Sequence, residues 1–88
     1  MSQIVYTPDA PAAIGPYSQA VVCNGLIFTS GQIAINPLSQ KVEATTIEEQ
    51  TKQVLTNLTA VLEAAGSSME KVVKTTCFLA NMEDFTAF

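Results

Sequence analysis

The chain contains no histidine, no tryptophan and no arginine; its four basic residues are Lys41, Lys52, Lys71 and Lys74. Each absence closes a chemistry. Without histidine the commonest general base is missing, and neither a Ser/His nor a Cys/His couple can be built. A zinc site fails on the same ground, since Cys23 and Cys77 stand far from the short ligand spacings such sites use. Without arginine there is no planar fork for a carboxylate, and lysine is only a point charge. The glycines, at 15, 25, 31 and 66, fit neither a Walker loop nor a dinucleotide fingerprint. Charge is scarce too: 14% of residues, against a usual share of about 25%. The lysines are scattered among eight acids, giving a net charge of −4, so no nucleic-acid partner is expected. No apolar run approaches the ~20 residues of a membrane span. Residues 1–13 lack the basic and apolar regions of a secretory signal, and two cysteines make no disulfide scaffold. A cytoplasmic protein without a membrane partner is expected.

What the chain does have is apolar residues, 48% of 88. A body this small removes only about 60% of its unfolded-chain surface from water, so part of that apolar content is expected to be buried against another chain. Residues 1–16 carry Pro8, Pro11 and Pro16 and predict an irregular lead-in, with Ile4, Val5 and Tyr6 as a short edge strand. Asn24-Gly25 between two β-rich runs predicts a hairpin, because a type I′ turn needs positive φ at both central residues. The register then follows. Cys23 pairs with Leu26, Val21 with Phe28, Gln19 with Ser30 and Tyr17 with Gln32, each pair sharing a face. Ser18, Ala20, Val22, Ile27, Thr29 and Gly31 lie on the other face. Both faces are apolar near the turn, and the open end of the first gathers Tyr17, Gln19, Ser30 and Gln32. That polar cluster is the best candidate site.

Residues 33–45 read as a connection with a turn at Asn36-Pro37. Thr46-x-x-Glu49 is a capping box. Ile47, Val54, Leu55, Leu58, Val61, Leu62 and Ala65 then recur at helical spacing up to Gly66, which stands at a left-handed C′ position. Residues 71–80 form a second β-rich run. Strand, helix and strand predict a right-handed βαβ crossover, hence an α+β fold with a mixed β-sheet and helices packed on one face. At Asn81 a second amphipathic helix is expected to start, with Glu83 and Asp84 in its first turn and Phe85 and Phe88 at i, i+3, and the sequence ends inside it. Because a lone helical turn is unstable in water, the chain is expected to continue past Phe88.

The candidate chemical groups each have a plainer reading. Ser30-Gly31 at a strand end offers a hydroxyl and an unhindered backbone N–H to an anion, or is a bulge in which glycine relieves crowding. Tyr17 is a ligand contact or a half-buried aromatic with a local hydrogen bond. Cys23 and Cys77 read as inert thiols with no cation nearby in sequence. Lys74 reads as a solvated strand residue, and Glu48 and Glu49 as helix-start acids. Asn57-Leu58-Thr59 matches a glycosylation sequon but lies mid-helix and is discounted.

Three stretches, APAAIGPYSQA (10–20), IFTSGQI (27–33) and VVKTTCFL (72–79) followed by MEDF (82–85), together with LEAAG (62–66) at the helix end, resemble the RidA (YjgF, reactive intermediate deaminase) family in order and spacing. The resemblance covers essentially the whole chain as one RidA-like domain, 1–88, with its C-terminal part beyond Phe88. It implies a mixed sheet with two helices on one face, in a homotrimer whose sheets form a central barrel. It also implies cofactor-independent hydrolysis of small carboxylate enamines and imines, such as 2-aminoacrylate, to 2-keto acids and ammonia. The substrates would be intermediates released by pyridoxal-phosphate enzymes. The implied site lies between subunits, with Tyr17 and Ser30 as catalytic candidates and Gly31 beside them as substrate-binding residue. The family's carboxylate-clamping arginine and water-positioning glutamate would follow Phe88. Two other readings accompany it: a non-catalytic trimeric module that binds small carboxylates or regulates an enzyme, and RNA cleavage, against which the acidic balance and missing histidine weigh.

Overall fold

The computed structural model describes residues 3–13, 18–77, 79, 82–84 and 86–88. β2 (Ala20–Cys23) and β3 (Leu26–Thr29) form the Asn24-Gly25 hairpin, and β1 (Gln3–Val5) pairs antiparallel with β2 on its other side. Both turn residues take positive φ, 52° at Asn24 and 76° at Gly25, as a type I′ turn demands. The register is the expected one, Val21 opposite Phe28 and Cys23 opposite Leu26, and it extends to a 2.9 Å bond from the Ser30 N–H to the Gln19 carbonyl. The edge strand lies one residue earlier than the sequence reading placed it.

α1 (Ile47–Ala64) packs across one face of this sheet. Its start is the predicted cap: the Thr46 hydroxyl accepts from the Glu49 N–H at 3.2 Å and donates to the Glu49 carboxylate at 2.9 Å. Its end is a Schellman turn. Gly66 takes φ 83°, its N–H bonds to the Glu63 carbonyl, and the Ser67 N–H bonds to the Leu62 carbonyl. Val61 on this helix meets Val5, Ala10 and Ala20, with Val22, Ile27, Ala60 and Ala65 around them. The opposite sheet face has no such cover among the described residues: Ile4 is 71% and Phe28 60% exposed, with Leu26 exposed beside them.

The turn expected at Asn36-Pro37 is present, and short strands flank it: β4 (Ile35–Asn36) pairs with β5 (Lys41–Val42) as a second hairpin. The Asn36 side chain organises its turn, accepting from the Leu38 N–H at 2.8 Å and the Ser39 N–H at 3.3 Å. Two expectations need correction. The β-rich run at 71–80 builds no crossover strand within its described residues. Residues 72–77 are unpaired and Val73 is 92% exposed, and the strand pairs among the described residues are all antiparallel where a mixed sheet was expected. β-branched side chains favour a pleated, half-buried surface, and that surface exists only where a neighbouring strand supplies it. Lastly, the described part of the second helix is a single 3₁₀ turn, Met82–Asp84, and α1 is the one α-helix among the described residues. The fold is α+β, with helical cover from one helix. That helix is not long and apolar enough to cross a membrane.

Candidate functional site

The hairpin's open end, where the sequence gathered hydroxyls and amides, divides into two kinds of residue. Gln19 is 3% exposed and fully committed. Its Oε1 accepts from the Thr7 N–H at 2.7 Å; its Nε2 donates to the carbonyls of Thr7 at 3.0 Å, Pro11 at 2.9 Å and Ala10 at 3.3 Å. A proline-rich lead-in cannot satisfy its backbone by laddering, and a buried carboxamide does it instead. Gln19 therefore holds the lead-in against the sheet, with no donor left over for a ligand.

Ser30 is half-buried, and its hydroxyl donates to the Ser18 carbonyl. With that proton spent, Oγ can still accept from a water or an ammonium group. Gln32 donates to the Ser30 carbonyl at 3.3 Å. Gly31 is exposed. A Cβ built on it meets no atom within 4 Å, and its φ lies outside the left-handed region. Neither backbone conformation nor crowding among the described residues explains a glycine here, which removes the bulge reading. Tyr17 lies outside the described residues.

Gly31 lines a cavity of about 260 Å³ with Pro11, Ala12, Gln19, Gln32, Ile33 and Ile35. Ser30 stands next to it without lining it. The cavity's described walls carry no charged side chain, so a polar ligand there would find backbone groups and the Gln32 amide. A larger, open groove of about 900 Å³ runs along the outer side of α1. Its charges, Lys52 against Asp9, Glu48 and Glu63, are not brought together with any of the hydroxyls and amides of the hairpin end. Of the residues the sequence singled out, Gly31, Gln19 and Gln32 line the smaller cavity. Among the described residues no three Cys, Asp or Glu side chains come together as metal ligands would, and Cys23 and Cys77 are free thiols.

One residue beneath the site was missed in the sequence. Asn57 is completely buried in α1, donating to the carbonyls of Ile33 at 3.2 Å and Ile35 at 2.9 Å and accepting from Gln53 Nε2 at 2.8 Å. The signal was there: Asn57 sits three residues after Val54 and four before Val61, inside the apolar stripe. A polar side chain at such a position needs a partner.

Comparison with known proteins covers nearly the whole chain. The family model for endoribonuclease L-PSP matches residues 7–88. The chain is 52% identical over 86 residues to the RutC family protein slr0709 of Synechocystis, covering 97% of this chain and 66% of that protein. It is 46% identical over 83 residues to the chloroplastic Reactive Intermediate Deaminase A of Arabidopsis thaliana, covering 94% of this chain and 44% of that one. The crystal structure of E. coli TdcF with bound serine superposes with a TM-score of 0.91 at 37% identity, covering 96% of this chain and 65% of that chain. The chain spans about two thirds of the length of several curated relatives, slr0709 among them.

Proposed function

We propose, from the premise that this chain belongs to the endoribonuclease L-PSP family of Rid and RutC proteins, that it deaminates reactive 2-enamino and 2-imino acids to 2-keto acids and ammonia. The observation that carries the reading is Gly31. It borders the cavity with an open Cα side that the described fold does not use. A planar substrate can approach that backbone closely where a side chain would keep it out. The name of the Arabidopsis relative supports the reaction, and the serine bound to TdcF supports a small amino-acid-like ligand.

In the proposed reaction the substrate carboxylate is held by backbone N–H groups near Gly31 and by Gln32. The enamine takes a proton at its terminal carbon and becomes the iminium, which is the imine once an N–H proton is lost. Water adds to the iminium carbon and gives up a proton, and the resulting carbinolamine, protonated on nitrogen, expels ammonia as its hydroxyl loses a proton to leave the keto acid. Ser30 adjoins the cavity without lining it, and its Oγ, with its proton directed to the Ser18 carbonyl, keeps acceptor capacity for a water at the rim. Tyr17 completes the wall by resemblance. The arginine clamp and the carboxylate that the resemblance also implies have no counterpart assigned among residues 1–88. Rate acceleration would come from positioning and fixed dipoles rather than from a covalent nucleophile.

The exposed sheet face of Ile4, Val21, Phe28 and Leu26 is proposed to pack against copies of this chain in a homotrimer, bringing neighbouring subunits to the rim of each site. Apolar surface this concentrated marks an interaction site more often than free surface.

The test is release of keto acid and ammonia from 2-aminoacrylate generated by a pyridoxal-phosphate dehydratase, using protein expressed from the complete reading frame. Acceleration over the uncatalysed rate is expected; equal rates with and without the protein would sink the deaminase reading. One observation favours the second reading, a non-catalytic carboxylate-binding or regulatory module: no charged side chain lines the cavity among the described residues. Saturable pyruvate binding without any acceleration would establish it.

A further inference from the structure

We propose that Asn57 is the positioning residue of this site, its carboxamide fixing the backbone of residues 31–35 from inside α1. This rests on the reading of the Gly31 cavity as the ligand site. Gly31, Gln32, Ile33 and Ile35 make up one wall of that cavity, yet the segment belongs to no strand until Ile35. It is held by a tight turn, in which the Ile35 N–H bonds to the Ile33 carbonyl at 2.8 Å over the buried Ala34, and by the two bonds from Asn57. An isolated three-residue turn is weak. The Ile33 carbonyl is shared between the turn and Asn57, so the same carboxamide that satisfies the wall also pins its turn.

The Asn57 amide is itself oriented. Gln53, one turn earlier on α1, donates to its Oδ1, which leaves both Nδ2 protons facing the two carbonyls. A flipped amide would set its oxygen against them. Hydrogen bonding thus runs from Gln53 through Asn57 to the cavity wall. Asn57 itself does not line the cavity, so its effect on a ligand must pass through the backbone at 31–35.

Three variants of the protein from its complete reading frame test this: Asn57→Leu, Gln53→Ala and, as a control, Val61→Ala. Val61 is as deeply buried in the same helix but packs under the sheet instead of holding the wall. Two readouts are taken well below each variant's unfolding transition: amide hydrogen exchange at residues 31–35, and pyruvate binding followed through the Gly31 and Gln32 amide resonances.

Asn57→Leu is expected to speed exchange at 31–35 at least tenfold and weaken pyruvate binding by a similar factor. Gln53→Ala should shift both in the same direction by less. Val61→Ala should lower stability while leaving both within twofold of the parent. Unchanged exchange at 31–35 in Asn57→Leu, or equal changes in Val61→Ala, would overturn the positioning role. Should Asn57→Leu fail to fold, Gln53→Ala decides, and no change in its exchange would overturn the proposal. If the parent protein binds no pyruvate, the ligand-site reading fails, while the exchange data still judge the hold of Asn57 on the wall.

Discussion

Gln19 and Thr7 exchange a pair of hydrogen bonds, the Thr7 N–H to Gln19 Oε1 at 2.7 Å and Gln19 Nε2 to the Thr7 carbonyl at 3.0 Å. A side-chain carboxamide thereby imitates the backbone of a neighbouring strand. The arrangement replaces a sheet ladder where Pro8 and Pro11 forbid one.

Gln19→Leu should therefore behave as a severe core substitution despite its similar size. It leaves the Thr7 N–H and three carbonyls without their partner, and each buried group so orphaned costs about 1–3 kcal/mol, with some recovery through water. A net loss of about 3 kcal/mol is expected in urea denaturation. Gln19→Glu, which keeps the acceptor but loses the donors, should also destabilise the protein.

The glycines at 25 and 31 should respond differently to alanine. Gly25→Ala places a Cβ at φ 76° and should cost about 1–2 kcal/mol. Gly31→Ala meets no steric obstacle among the described residues and should change stability by less than about 0.5 kcal/mol. If a ligand approaches Gly31, the same substitution should weaken pyruvate binding and slow 2-aminoacrylate hydrolysis. Full activity in Gly31→Ala would remove the observation on which the proposed function rests.

Phe28→Glu should abolish self-association. Phe28 is on the sheet face away from α1, and burying an unpaired carboxylate between subunits is too costly for the contact to persist. Sedimentation should show a trimer for the parent protein and a monomer for the variant. A monomeric parent would refute the proposed assembly.

Thr46→Ala removes the oxygen that accepts the Glu49 N–H at the start of α1. The expected loss is about 1 kcal/mol, read as a lower denaturation midpoint. Because the cap is exposed and remote from the cavity, pyruvate affinity should be unchanged.

Local rules determined much of this protein from the sequence by itself. Positive φ at Asn24-Gly25 set the hairpin, and with it the register that puts Phe28 opposite Val21 and gathers Gln19, Ser30 and Gln32 at one end. Thr46, Glu49 and Gly66 delimited the helix, because caps act on their own backbone. Tertiary structure alone decided the rest. Gln19 looked like a site amide and is a staple, since the carbonyls it holds lie eight to twelve residues away and only folding brings them near. Asn57 looked like part of a discounted sequon and became the hold on the cavity wall, through bonds that span 22 and 24 residues. The β-rich run at 71–80 had the composition of a strand but no pairing within its described residues. A strand, a staple and a buried amide are defined by their partners, and partners distant in the chain leave no mark in local propensity.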